Sequence, residues 1–142
     1  MKQYYSLLLV FCITFCFYSC DDVLECIINV RPELHNNDMD IARVDSYYFE
    51  TITAEVKNEP NDNDYDYFFS VSGNVPKGLD IVYEYRRIII EGIPKETGRY
   101  TIRVSLDVVA LNEFYFDEFG NEIYHAPLCT NTTSKVYTIV VR

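Results

Sequence analysis

Tyr100-Thr101-Ile102-Arg103-Val104-Ser105-Leu106-Asp107-Val108 alternates apolar and polar side chains over nine residues. Successive side chains of a β-strand point to opposite faces, so this stretch predicts a strand with one buried and one wet face. The same period of two recurs on both sides of it. Downstream, Tyr137, Ile139 and Val141 are spaced by two. Upstream, Ile88 and Ile90 precede Glu91-Gly92, and Leu79, Ile81 and Tyr83 form another short set. Tyr65, Tyr67, Phe69 and Val71 alternate with Asp66, Phe68 and Ser70. Ile52, Ala54 and Val56 share a face, with Thr51, Thr53, Glu55 and Lys57 opposite. Cys26-Ile27-Ile28-Asn29-Val30 is a candidate first strand, and Asn58–Asp64 and residues 36–40 read as loop. No window carries a helical stripe. Six or seven short strands separated by turn signals predict an all-β antiparallel sandwich.

Composition bounds what such a domain can do. The chain has 142 residues, 49% hydrophobic and 24% charged, which suits one globular domain. Twenty-two acidic residues against 12 basic ones give a net charge of −10. Binding to nucleic acid needs clustered Lys and Arg to neutralise phosphates, so no nucleic-acid partner is expected. Thirteen Tyr and nine Phe, with no Trp, make the chain rich in aromatics.

Turn residues around the decisive strand narrow the fold further. Val75-Pro76-Lys77-Gly78-Leu79 is followed by Ile90-Glu91-Gly92-Ile93-Pro94, and then by Thr97-Gly98-Arg99-Tyr100-Thr101-Ile102-Arg103-Val104. Pro76 cannot extend a hydrogen-bonded ladder, and Gly78 and Gly92 permit positive φ or close backbone approach. Pro94 and Gly98 bracket a loop, and Tyr100 is placed to pack inward at a corner with its hydroxyl bonded back to that loop. This series resembles the immunoglobulin-like, cadherin-like domain family, whose signature is Leu-Pro-x-Gly-Leu, Ile-x-Gly-x-Pro and Gly-x-Tyr-x-apolar-x-Val. Val75 stands where the family has Leu. Arg86-Arg87 occupies the hairpin that often carries Thr-Gly. The resemblance implies an immunoglobulin-like sandwich of about seven strands over residues 46–142. It assigns Pro76, Gly78, Leu79, Gly92, Pro94, Gly98 and Tyr100 structural roles, with no catalysis.

The N-terminus predicts an address. Met1-Lys2-Gln3 is a short basic start, and Tyr4–Ser19 runs 16 residues without a charge. Spanning a bilayer as a helix takes about 20 apolar residues, so this stretch reads as a signal-peptide core. Phe17-Tyr18-Ser19-Cys20 resembles the lipobox of bacterial lipoproteins in a relaxed form. The resemblance implies cleavage after residue 19, a diacylglycerol on Cys20, and a partner in the membrane itself. Loss of residues 1–19 removes Lys2 alone among the charges, leaving 123 residues with 11 basic and 22 acidic side chains. Asp21-Asp22 resembles a surface-export signal of some Gram-negative groups and an inner-membrane retention signal of others. Residues 20–45 are expected to be the lipidated Cys, an acidic tether and the candidate first strand. The expected location is the cell envelope, lipid-anchored at the outer membrane and displayed on the surface.

The remaining residues bear on function. Cys26 and Cys129 outlast the signal peptide. In an oxidising compartment they pair as a disulfide or stay as two buried thiols, and their spacing does not choose. Asp62, Asp64 and Asp66 alternate like the opening of a calcium loop, but Tyr67 and Gly73 stand where that loop needs Gly and Glu. No cofactor is expected, and calcium only as a weak alternative. His35 and His125 are the two histidines, and no nucleophile motif surrounds either. Asn112–Tyr124 reads as a hairpin inserted before the last strand and turning at Gly120-Asn121. Its Phe114, Tyr115, Phe116, Phe119 and Tyr124 outnumber what a solvated hairpin needs. Burial against the sandwich is expected; left exposed, they would form a binding face for a glycan or a surface protein. The expected function is therefore that of a non-enzymatic envelope lipoprotein acting as a binding or adhesion module. A structural accessory subunit of a periplasmic or outer-membrane assembly is the alternative, and a small hydrolase a distant third.

Overall fold

The computed structural model describes residues 26–35, 38–112, 114–124 and 128–142, and of Tyr124 the backbone alone. The signal segment 1–19, the lipidation site Cys20 and His125 lie outside the described residues. Among the described residues, nine strands and one short 3-10 turn make up the regular structure. They are β1 (Arg31–Leu34), β2 (Tyr48–Lys57), the turn (Asp62–Asp64), β3 (Tyr65–Gly73), β4 (Leu79–Glu84) and β5 (Arg87–Gly92). The rest are β6 (Gly98–Ala110), β7 (Phe114–Phe116), β8 (Glu122–Tyr124) and β9 (Thr132–Val141).

Seven of these form a two-sheet sandwich. One sheet has the order β1-β2-β5-β4 and the other β3-β6-β9, with every named pair antiparallel. Lettered along the chain, this is A-B-E-D against C-F-G, the strand order of a constant-type immunoglobulin domain. The chain is an immunoglobulin-like β-sandwich. Strands β7 and β8 pair only with each other, as a hairpin in the connection between β6 and β9.

The alternation in the sequence becomes the core. Ile52, Ala54 and Val56 of β2 face Ile102, Val104, Leu106 and Val108 of β6, and all are buried. Ile88 and Ile90 from one sheet and Ile139 from the other are fully enclosed. Each such side chain contributes roughly 1.5–3 kcal/mol of transfer free energy. Tyr65, Tyr67 and Tyr137 are buried as well, while Asp66 points to water between the first two. The Tyr137 hydroxyl donates to the His35 carbonyl at 2.9 Å, and burial pushes its phenol up to about 12.

The sandwich begins upstream of residue 46. Cys26–Val30 is not a strand; the first strand is Arg31–Leu34, paired with β2. Val30, Pro32 and Leu34 turn inward and are buried, while Arg31 and Glu33 face out. Pro32 hid this strand from a reading by pattern, yet a sheet edge is where proline can sit. The chain then changes sheets. Residues 42–44 run beside β9 in parallel, with Ala42 N–H bonding Val140 O and Arg142 N–H bonding Ala42 O, both at 2.9 Å.

The Pro76–Leu79, Gly92–Pro94 and Gly98–Tyr100 turns build one end of the sandwich. The Gly78 carbonyl accepts from Ile93 N–H at 2.8 Å, and Lys95 N–H donates to Lys77 O at 2.9 Å. A Cβ on Gly78 would stand 2.2 Å from Ile93 O, and one on Gly92 2.2 Å from Gly78 O. Both glycines have positive φ, 89° and 136°. The two turns thus touch backbone to backbone, which only glycine permits. Pro76 and Pro94 are buried beside them. Tyr100 packs its ring over Gly98, and its hydroxyl reaches the Glu96 carbonyl at 3.4 Å, as in a tyrosine corner.

Candidate functional site

The opposite end holds the features that the core does not use. Strand directions bring four connections there: the segment before β1, the β2–β3 loop, the β4–β5 turn, and the β6–β9 hairpin.

The first three are locked together. Tyr85 and Arg86 form the β4–β5 turn, and Arg86 has φ 62° despite its side chain. The surroundings hold it there. Its carbonyl accepts from Ala54 N–H at 2.8 Å. Its guanidinium bonds the Asp62 carboxylate, donates to Asn63 Oδ1 at 2.8 Å, and lies 5.4 Å from the centre of the Tyr67 ring. Tyr85 donates its hydroxyl to the carbonyls of Asn63 and Tyr65. Tyr85 and Arg86 therefore clamp the β4–β5 turn to the β2–β3 loop.

This clamp also engages one of the three carboxylates that alternate like the opening of a calcium loop. The cation beside Asp62 is Arg86, and Asp62–Asp64 is a 3-10 turn rather than a calcium loop. Asp66 lies beyond it, on the exposed face of β3. Among the described residues no cluster of three or more His, Cys, Asp or Glu could hold a metal ion.

Cys26 and Cys129 are joined as a disulfide, with Cα atoms 5.5 Å apart. Cys129 N–H also donates to Val30 O at 2.8 Å, and the Asn58 side chain donates to Asn29 O at 3.0 Å. The segment before β1 is thereby fixed to the foot of the hairpin leg that returns to β9.

The hairpin itself stands away from the core. Phe114 pairs with Tyr124, Tyr115 with Ile123, and Phe116 with Glu122. The loop that joins them is held by Asp117. Its carboxylate accepts from Phe119 N–H, Asn121 N–H and the Asn121 side-chain amide at 2.8–2.9 Å. The Asn121 side-chain bond, followed by the backbone bonds, holds the Asp117 carboxyl below its ordinary value. Gly120, with φ 80°, completes the turn.

Burial of the hairpin aromatics against the sandwich is not what forms. Phe119 is 87% exposed, Phe116 62%, Phe114 37% and Tyr115 36%. The hairpin is a separate two-stranded sheet with too little surface of its own to cover its rings. Phe114 and Phe116 meet edge to face, with centroids 5.6 Å apart. Two further apolar residues join them at this end. Ile27 and Ile28, read in the sequence as strand, are 72% and 66% exposed beside the disulfide. Nothing in the sequence marks them as surface residues, since a short apolar run looks like a buried strand.

The hydrolase reading has one local feature. His35 and Glu55 approach to 3.6 Å in an open depression of about 440 Å³ that also takes in Thr53, Glu84 and Tyr85. Among the described residues no hydroxyl is hydrogen-bonded to the imidazole, and the Tyr85 hydroxyl is engaged elsewhere. The pair is two-fifths exposed, and such a surface pair contributes little.

No family model matches this sequence, and no curated protein matches it. Solved structures are similar to it at low identity and with low TM-scores. An endo-fucoidan hydrolase of glycoside hydrolase family 107 is similar over 81% of this chain, with 12% identity and a TM-score of 0.43. The chain spans 14% of that enzyme's length. A PapD-like domain of human CEP192 is similar over 80% of this chain and 85% of its own, with 8% identity and a TM-score of 0.43. The Lin-41 filamin domain is similar over 78% of this chain and 91% of its own, with 10% identity and a TM-score of 0.33.

Proposed function

We propose that this chain is a lipid-anchored protein of the bacterial cell envelope, held by acyl chains on Cys20 and displayed at the cell surface. Its immunoglobulin-like sandwich works there as a non-catalytic binding module for a glycan or another surface protein. The observation that carries the binding role is the hairpin between β6 and β9. It projects Phe116 and Phe119 into solvent from a frame fixed by a disulfide and by the Arg86 clamp. Rigid aromatic rings on a positioned loop are what recognition surfaces use, because they bring large contact area at low entropic cost. The anchoring role is supported by the basic start, the 16-residue uncharged run and the Ser19-Cys20 junction. Several acyl chains, at about 0.8 kcal/mol per buried CH₂, hold a protein firmly at a membrane.

The test has two parts. Intact cells expressing the tagged protein are treated with protease, with a periplasmic protein as leakage control. Digestion is expected, and protection would overturn surface display. Radiolabelled fatty acid is expected to enter the native protein and not Cys20→Ser. A Phe116→Ser/Phe119→Ser variant should then lose binding in glycan and surface-protein screens while remaining folded.

A further inference from the structure

The Cys26–Cys129 disulfide brings together two points that are 103 positions apart in sequence. One is where the chain enters the sandwich, six positions after Cys20. The other is the foot of the aromatic hairpin. Six fully extended residues reach roughly 20 Å. A lipid on Cys20 therefore keeps the hairpin end of the sandwich within about that distance of the bilayer. The glycine-packed end lies a strand length from the hairpin end, about 33 Å for ten residues.

The chemistry of the near end selects among possible occupants. Its exposed apolar groups include Ile27, Ile28, Leu111, Phe116 and Phe119. Its charge at the hairpin tip is acidic, with Asp117 and Glu118 in the loop. An anionic headgroup surface repels carboxylates at the point of contact. A ligand arriving from outside the cell would have to reach the end of the domain at which the tether joins. A protein of the same membrane meets both conditions if it offers an apolar pocket with a basic rim.

We propose that the hairpin docks this chain onto a second protein embedded in or anchored to the same membrane, with Phe119 seated in an apolar pocket rimmed by Lys or Arg. This names the partner of the binding module proposed above and rests on anchoring at Cys20. Confinement to one membrane raises the effective concentration of the two proteins, so a contact built on a few rings suffices.

The experiment uses the full-length lipoprotein in its native envelope. Phe119 is replaced by the photocrosslinker p-benzoylphenylalanine, a change that its exposure lets the fold accept, and cells are irradiated. The expected product is one reproducible protein adduct in the membrane fraction. A rigid 30-residue proline-rich spacer between Cys20 and Cys26, about 90 Å long, should abolish it. Glu118→Lys should reduce it several-fold. An adduct with phospholipid or polysaccharide, a protein adduct insensitive to the spacer, or no adduct would each overturn the proposal. Formation of the disulfide, read by gel mobility, confirms that each variant is folded. Protein found in the membrane fraction without the adduct sinks this inference alone. Protein that never carries lipid sinks the anchoring proposal instead.

Discussion

The two ends of the sandwich solve opposite problems. At the far end, backbone packs on backbone: Gly78 and Gly92 leave no room for a Cβ, Pro76 and Pro94 are buried, and Tyr100 covers Gly98. At the near end, side chains reach outward from a frame of polar clamps: Arg86 on Asp62, Tyr85 on two carbonyls, Asp117 within the hairpin, and a disulfide at its foot. The far end fixes the geometry of the fold, with Ile41, Tyr47 and Ile93 exposed around it. The near end keeps apolar side chains in water. Water penalises such exposure, so rings left there on a held loop point to contact with something else.

Removing the staple at the near end should have the largest effect on stability. Cys26→Ser/Cys129→Ser frees a loop of about a hundred residues in the unfolded chain. The chain-entropy account puts the loss at about 4.7 kcal/mol. Urea unfolding should show it as a fall in midpoint, with the same core signal before the transition. A change within 1 kcal/mol would mean that the hydrogen bonds of Cys129 and Asn58 already fix the segment without the bond. Gly92→Ala strikes the far end. The new methyl would stand 2.2 Å from Gly78 O on a residue with φ 136°, so the two turns must separate. A loss of about 3 kcal/mol is expected, with the near-end disulfide still formed. If Gly92→Ala were neutral, the backbone contact that distinguishes the far end would not be the source of its rigidity.

What the sequence made legible follows the same division. The core strands could be read because period two is a direct imprint of burial, and Ile52, Ile102 and Ile139 all fall where alternation puts them. The far-end turns could be read because glycine and proline are required there by sterics. The near end was harder. Pro32 masked β1, since an edge strand tolerates what an interior strand forbids. The hairpin was recognisable, but the fate of its rings was not. Burial of a ring depends on which surface meets it across space, and local pattern carries no record of that. The Arg86–Asp62 clamp joins positions 24 apart through a turn with positive φ, and no short motif announces it.

The smallest expected effect tests whether the hairpin is ordered by its own chemistry rather than by the sandwich. Asp117 accepts three hydrogen bonds as a carboxylate, and these hold its folded pKa below the ordinary 3.8. A depressed pKa means that the unfolded loop takes up protons first as the pH falls. The stabilisation is therefore complete well above the unfolded carboxyl's pKa and is lost as the pH drops through the lower folded value. NMR amide shifts of Phe119 and Asn121 should report a transition with its midpoint below 3.8, while those of Ile102 and Ile139 stay still across it. Asp117→Asn should abolish that transition and leave the urea midpoint of the domain unchanged. If instead the core amides moved with the loop, the hairpin and sandwich would melt as one unit. The near end would then be an extension of the rigid frame and not a separately ordered arm, and its exposed rings would owe their position to the core.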